Sequence, residues 1–215
     1  MIEINSPIAL QTFQLNNFFF ELFVPNQQAI KQTYLQQKLL HDDTPFPYWA
    51  KVWAAAVGLG YFINEQPGFV QDKTVIELAA GLGLPSLVAA KWAKTVCCSD
   101  YLQAPLNVVK ASADHYNIKN INYKIIDWFN MPKDITTDVL LLSDINYEPT
   151  CFATLLSIVQ QFLAKGTTII LSTPQRLLAK PFIEKLLPFC SLQQTVKVKE
   201  NGNATWVQIL VLTAD

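Results

Sequence analysis

Short apolar runs alternate with longer stretches along most of this chain after residue 74. Three of the runs end in an aspartate: VCCSD at Asp100, KIID at Asp127 and LLLSD at Asp144. Another run, TVIELAAGLGL, leads into a turn that contains Gly81 and Gly83. This alternation predicts buried parallel strands joined by helices. Because ligands bind at the carboxyl ends of such strands, the pattern predicts a site lined by a glycine turn and three carboxylates.

The same pattern gives approximate bounds for these elements. Five parallel strands and four helices are expected, with the strands at 74–80, 95–100, 121–127, 138–144 and 167–173, and the helices at 84–94, 103–116, 150–164 and 177–188. Asn201-Gly202 lies between two β-runs, TVKVKE and ATWVQILVLT, which predicts an antiparallel hairpin. The predicted fold class is therefore α/β, with a mostly parallel sheet, a C-terminal antiparallel hairpin and helices on both faces.

The first 73 residues follow a less regular pattern. We expect a mostly irregular start with a strand at 18–24, a helix at 26–40, a proline-containing loop at 42–47 and a buried, alanine-rich helix at 49–63. No repeat or low-complexity linker divides the chain. We therefore expect one domain over 1–215, with an N-terminal extension (1–48) and a ligand-binding core (49–215).

Composition narrows the partners and the location. The chain has 215 residues, of which 51% are hydrophobic and 15% charged, with a net charge of −1. This suits a sheet buried on both faces and disfavours a nucleic-acid partner. The longest apolar stretch is shorter than the roughly 20 residues that span a bilayer, so no membrane association is expected. The four cysteines show no CxxC or metal-ligand spacing, so no metal is expected; reduced thiols and no visible signal peptide favour the cytoplasm.

The glycine turn itself permits several ligands. Glycines let the backbone turn sharply and approach a ligand closely. A dinucleotide fingerprint would read GxGxxG, but its third glycine is replaced by Ser86, and an acid within the strand, Glu77, is not part of that fingerprint. A nicotinamide-dependent oxidoreductase is therefore the weaker hypothesis.

Each strand-end aspartate has a functional and a structural interpretation. Asp100 lies about 20 residues after the glycines, where an acid can accept hydrogen bonds from ribose hydroxyls. Its structural interpretation is a carboxylate that stabilises a turn. Asp127 could accept a hydrogen bond from an exocyclic amino group of a base, with Trp128 as the flanking aromatic ring. Its structural interpretation is a turn at the end of a strand. Asp144 to Tyr147 would place a carboxylate, an amide and a phenol at the reactive end of a cofactor; otherwise Asp144 caps the next helix.

In combination, these motifs resemble the seven-stranded class I S-adenosylmethionine-dependent methyltransferases, which have a Rossmann-like sheet. VIELAAGLGL is similar to that group's (D/E)xGxGxG motif, and Asp127-Trp128 to its adenine-side motif. More narrowly, PYWAKVWAAAVGL before the glycines and D-x-x-Y at Asp144 resemble the lysine methyltransferase-like and nicotinamide N-methyltransferase-like family, methyltransferase family 16. The resemblance covers about 45–213, with one departure: Ala79 stands where the motif has its first glycine.

The resemblance implies an S-adenosylmethionine-dependent enzyme that releases S-adenosylhomocysteine. It implies that Asp144 and Tyr147 are catalytic and that the cofactor is bound by Trp53, Glu77, Ala79, Gly81, Gly83, Asp100, Tyr101, Asp127, Trp128 and Asp144. The expected acceptor is a protein lysine; a small-molecule amine, or a non-catalytic cofactor-binding module, are the alternatives. D-x-x-Y also resembles the (D/N)PPY motif of amide and nucleic-acid N-methyltransferases, but both prolines are missing. Acceptor specificity is expected in 1–48 and in the loops after the 138–144 and 167–173 strands, the latter including Arg176.

Overall fold

A computed structural model describes residues 7–132, 134–200 and 203–214. Its main elements, in chain order, are β1 (Ile8–Leu15), β2 (Phe18–Pro25), α1 (Gln27–Leu40), α2 (Ala54–Glu65), β3 (Thr74–Leu78), α3 (Leu84–Ala89), β4 (Thr95–Asp100), α4 (Gln103–His115), β5 (Ile121–Ile125), β6 (Val139–Ser143), α5 (Phe152–Leu163), β7 (Thr168–Pro174), α6 (Lys180–Leu186), β8 (Cys190–Glu200) and β9 (Asn203–Leu212). Short 3₁₀ turns lie between several of them.

Seven of the strands form one sheet in the order β5-β4-β3-β6-β7-β9-β8. The pairs among β3 to β7 are parallel, whereas β9 pairs antiparallel with both β7 and β8. Strand order reverses between β3 and β6, which are hydrogen-bonded neighbours although two strands separate them in sequence. Ligands of such sheets bind at this reversal.

The sheet is buried on both faces by two apolar clusters. Alternate residues of β6 point to opposite sides: Val139 and Leu141 belong to one cluster, and Leu140 and Leu142 to the other. All four are at most 1% exposed. A strand that is covered on both faces needs an apolar run without polar alternation, and β6 has one. The predicted α/β class, with its antiparallel ending, is confirmed.

The N-terminal strands form a separate antiparallel pair. β1 pairs with β2 along its full length. β2 then contacts α4, where the N–H of Phe23 donates to Ser112 Oγ (3.0 Å) and the N–H of Glu21 to the Tyr116 hydroxyl (3.2 Å). The sequence predicted β2 and α1, but it missed β1 because polar residues interrupt IALQTFQL and its side chains are mostly exposed.

The prediction of one helix over 49–63 was wrong at its start. Residues 48–50 form a 3₁₀ turn, and α2 begins only at Ala54 after extended backbone at Trp53. Trp53 Nε1 donates to the Tyr48 carbonyl (2.8 Å), so the indole holds this segment away from the helix. The helix predicted over 177–188 is likewise split, because α6 covers only Lys180–Leu186 between two 3₁₀ turns. The predicted hairpin turn at Asn201-Gly202 lies outside the described residues, but the two strands beside it pair as expected.

Candidate active site

A cavity of about 870 Å³ opens at the carboxyl ends of β3, β4 and β6. Every predicted site residue except Glu77 lines it, namely Trp53, Ala79, Gly81, Gly83, Asp100, Tyr101, Asp127, Trp128, Asp144 and Tyr147. The cavity is also lined by Arg176 and by aromatic residues of the 46–53 segment. The structure therefore brings together residues that are as far apart in the sequence as Phe46 and Arg176.

The glycine turn after β3 is bound to the end of β4. Asp100 is 3% exposed, and its two oxygens accept from the N–H groups of Gly81 (3.0 Å) and Leu102 (3.1 Å). Burial raises the pKa of Asp100, and the backbone hydrogen bonds oppose that shift. Asp100 is thus both the ribose candidate and the anchor of the turn, so its two interpretations from sequence are not exclusive.

Gly81 and Gly83 both adopt positive φ angles, of 53° and 63°. A Cβ on Gly81 would lie 3.4 Å from the Trp49 carbonyl oxygen, so the tryptophan segment packs directly over the turn. Ala79, the departure from the glycine motif, also has a positive φ of 50°. That conformation explains physically why a glycine suits this position.

Glu77 lies beneath the site and does not line the cavity. Its Oε2 accepts from the N–H (2.9 Å) and the hydroxyl (2.5 Å) of Ser86, while Oε1 has no partner among the described residues. Complete burial raises the pKa of Glu77 to about 8, against the lowering effect of the Ser86 hydrogen bonds. Glu77 and Ser86, the residue that breaks the dinucleotide pattern, therefore join β3 to the first turn of α3.

Asp127 and Trp128 border the cavity just after the end of β5. Asp127 accepts from the Phe129 N–H (2.9 Å) and from Asn130 Nδ2 (2.6 Å), and so caps the short 3₁₀ turn at Trp128–Asn130. Asp127 therefore has the turn role that was its structural interpretation from the sequence. This half-buried residue also borders the cavity.

The loop after β6 carries the candidate acceptor residues. Asp144 has a positive φ of 53° and receives a two-pronged contact from Arg176, with Nη2 to Oδ2 at 3.0 Å and Nη1 to Oδ1. Partial burial raises the pKa of Tyr147 to about 12, with a further contribution from nearby Glu148. Sequence reasoning placed Arg176 only in a specificity loop; nothing in the sequence indicated its pairing with Asp144, 32 positions away.

A chain of aromatic rings connects the N-terminal helix to this loop. Tyr34 contacts Phe46, Phe46 contacts Tyr48, and Tyr48 contacts Tyr147, with ring centroids 5.3, 4.8 and 5.2 Å apart. Trp53 is half-buried behind Tyr48, with Lys51 Nζ 4.8 Å from the centre of its ring. The segment that precedes α2 thus forms one wall of the cavity.

Comparison with known proteins identifies the family. Residues 36–188 match the family described as lysine methyltransferase. The chain belongs to that family, which confirms the resemblance found in the sequence motifs.

Individual relatives carry methyltransferase names. The chain is 29% identical over 128 residues to the histone-arginine methyltransferase METTL23 of Mus musculus, covering 57% of this chain and 51% of that protein. It is 32% identical over 135 residues to the protein-lysine methyltransferase METTL21E of Bos taurus, covering 58% and 46%. The matches thus span about half the length of these curated relatives.

A solved structure shares the fold at low sequence identity. The 16S rRNA N2 G1207 methyltransferase RsmC of T. thermophilus has a TM-score of 0.64 and 15% identity, covering 99% of this chain and 52% of that chain. This likeness confirms the Rossmann-like methyltransferase architecture of the sheet.

Proposed function

We propose that the chain is an S-adenosylmethionine-dependent protein methyltransferase whose acceptor is a lysine side chain. The observation that carries the proposal is the convergence of the glycine turn, Asp100 and the Asp144–Tyr147 loop on one cavity. Membership of the lysine methyltransferase family supports the same reaction class. METTL21E is named a protein-lysine methyltransferase, which favours the lysine acceptor.

The cavity residues fit this cofactor chemically. Asp100 has the carboxylate that ribose hydroxyls need, and the turn that it anchors through Gly81 lines the same cavity. Trp128 and Tyr101 border the same cavity and offer aromatic surface to an adenine. We therefore propose Trp53, Ala79, Gly81, Gly83, Asp100, Tyr101, Asp127, Trp128 and Asp144 as contact residues, and Glu77 as a support of the turn.

S-adenosylmethionine supplies a methyl group on a positively charged sulfur. The protein then has to hold the acceptor nitrogen in line with that methyl and exclude water. Tyr147, which is 38% exposed and borders the cavity, offers a hydroxyl that can hydrogen-bond the acceptor nitrogen. Asp144 borders the same end of the cavity. We propose these two residues as the acceptor side of the site.

Labelled methyl transfer tests the proposal directly. The protein is incubated with methyl-labelled S-adenosylmethionine and total soluble protein, and the labelled product is hydrolysed to amino acids. Methyl-lysine is the expected product, and the rate should fall at least tenfold in Asp144→Asn, whereas Asp114→Asn on the exposed face of α4 should retain it. If only small molecules become labelled, the acceptor is a small-molecule amine and not a protein. If the protein binds S-adenosylmethionine but transfers no methyl group, a non-catalytic binding module is favoured.

Methylation of arginine is the second candidate. It is favoured by the relatives named histone-arginine methyltransferases and would appear as methyl-arginine in the same hydrolysate.

The cytoplasm is the proposed location. All four cysteines are free, as expected in a reducing compartment. Among the described residues, no helix combines the length and the apolar character needed to cross a membrane.

A further inference from the structure

The ion pair between Arg176 and Asp144 connects two neighbouring loops at the acceptor end of the cavity. Asp144 follows β6 and Arg176 follows β7, two strands that pair in parallel. The guanidinium contacts both carboxylate oxygens, and the side chains are 10% exposed for Asp144 and 35% for Arg176. Both oxygens of the candidate catalytic carboxylate are therefore engaged by one guanidinium group.

The pairing changes the charge that an acceptor meets. An unpaired carboxylate within about 4–6 Å of an amine favours its protonated form. Arginine is always charged, so its pairing with Asp144 cancels that effect. The other ionisable groups that line the cavity are Tyr48, Lys51, Asp100, Tyr101, Asp127, Tyr147, Glu148 and Cys151. Of these, Tyr147 and Glu148 share the acceptor loop with Asp144.

We infer that Arg176 is a positioning and specificity-determining residue: by engaging both oxygens of Asp144, it keeps that carboxylate from stabilising a cationic acceptor, so that the acceptor nitrogen is selected in its neutral form. The inference rests on the proposed methyl transfer and deepens it. Asp144 then acts with Arg176 as a neutral pair that shapes the acceptor end, and it is not the direct counter-ion of the acceptor.

Selection of a neutral nitrogen favours an amine over a guanidine. A lysine ammonium can lose its proton to water, because its free pKa is about 10.4, whereas that of arginine is above 12. The neutral amine carries the lone pair that forms the new nitrogen–methyl bond. The methyl–sulfur bond breaks, its electron pair stays on sulfur, and the positive charge passes to nitrogen. The inference thus assigns lysine-type amines as the acceptor class.

Small probes test this selection without any methyl transfer. Protein saturated with S-adenosylhomocysteine is titrated at pH 7 with n-butylammonium, n-propylguanidinium and the uncharged n-butanol, and binding is followed by NMR. The parent should bind neither cation as much as tenfold more tightly than n-butanol, because Glu148 of the same loop is exposed and its attraction is screened by solvent and salt. In Arg176→Met both cations should bind at least tenfold more tightly than in the parent, because Asp144 is left unpaired.

Two further variants separate charge from structure. Arg176→Lys keeps a cation beside Asp144 and should retain the parent's lack of preference. The double variant Arg176→Met/Asp144→Asn should lose the gain in cation binding. The inference is overturned if the parent already prefers cations tenfold, if Arg176→Met shows no gain, or if the gain persists in the double variant. Failure of S-adenosylhomocysteine to bind the parent would instead contradict the proposed function, and the same titrations without it still test Arg176.

The pH dependence of labelled methyl transfer gives an independent readout. In Arg176→Met the acid limb of the rate profile should move up by about one pH unit or more, because the acceptor amine keeps its proton longer beside an unpaired carboxylate. Arg176→Lys should keep the limb of the parent. An equal loss of rate at every pH in Arg176→Met would mean that Arg176 only supports the fold.

Discussion

Single residues around the glycine turn combine structural and functional demands. Asp100 accepts two backbone hydrogen bonds and also borders the cavity. Asp100→Ala should lower the affinity for S-adenosylhomocysteine tenfold or more, since two hydrogen bonds to a charged group contribute roughly 1.5–3 kcal/mol each. The unliganded protein should also melt at lower temperature, because two N–H groups lose their acceptor. Calorimetric titration separates the effects: parent-like affinity with a lowered melting temperature would leave Asp100 as a turn residue alone.

Ala79 occupies a backbone conformation that glycine adopts more readily. At its φ of 50°, a Cβ costs about 1–2 kcal/mol, partly offset by the greater flexibility of unfolded glycine. We expect Ala79→Gly to raise the free energy of unfolding by up to about 1 kcal/mol, as measured by urea denaturation. Asn117→Gly, at a φ of 55°, is the matched control and should gain less, because asparagine tolerates this region.

Glu77 makes stability depend on pH. Its folded-state pKa of about 8 lies above the ordinary 4.5, so its contribution is fully present below pH 4.5 and is lost as pH rises through 8. Between pH 5.5 and 8.5 the parent should lose more unfolding free energy than Glu77→Gln, by at most about 3 kcal/mol. Exposed Glu184→Gln should follow the parent, and identical pH slopes for Glu77→Gln and the parent would contradict the assignment.

At the scale of elements, Gly83 permits α3 and α4 to pack at the start of the site. A Cβ there would lie 2.9 Å from both methyl groups of Val109 and 3.1 Å from Cys98 Sγ. Gly83→Ala should therefore destabilise the protein by about 2–4 kcal/mol, from backbone strain and overpacking together. Gly166→Ala supplies the control, since its φ is also positive but no atom lies within 4 Å of the added carbon. Equal losses of unfolding free energy would mean that the contact with α4 contributes nothing.

The strands were predictable from sequence because each is a short apolar run, and a doubly covered sheet leaves little ambiguity in such runs. The start of α2 was not, because Val52 and Trp53 continue the apolar pattern, whereas the backbone at Trp53 is extended and its indole bonds the Tyr48 carbonyl. The predicted site residues that line the cavity could be identified from strand ends and motifs. The Arg176–Asp144 pair could not, because it depends on how the loops after the paired strands β6 and β7 meet, and no sequence motif marks that contact.

At the scale of the whole molecule, binding of the cofactor should raise the free energy of unfolding of the whole protein. The proposed site joins loops after β3, β4, β5 and β6, so a ligand bound there stabilises the folded state as a unit. At 100 times its Kd, S-adenosylhomocysteine should add roughly 2.7 kcal/mol, a melting shift of about 5–10 °C for a chain of this size. NADH at the same concentration should leave the melting temperature unchanged. A shift with NADH alone would revive the oxidoreductase hypothesis.

The position of β9 between β7 and β8 has a consequence for synthesis on the ribosome. β9 is the last described strand in the sequence, yet it fills an interior place in the sheet. Until residues 203–212 have left the exit tunnel, the nascent chain presents the edge of β7, where Ile169, Ile170 and Leu171 are fully buried in the finished protein. Unpaired apolar edges invite association with other chains. We therefore expect the growing polypeptide to be most prone to association with other chains over the interval in which β7 is made and β9 is not.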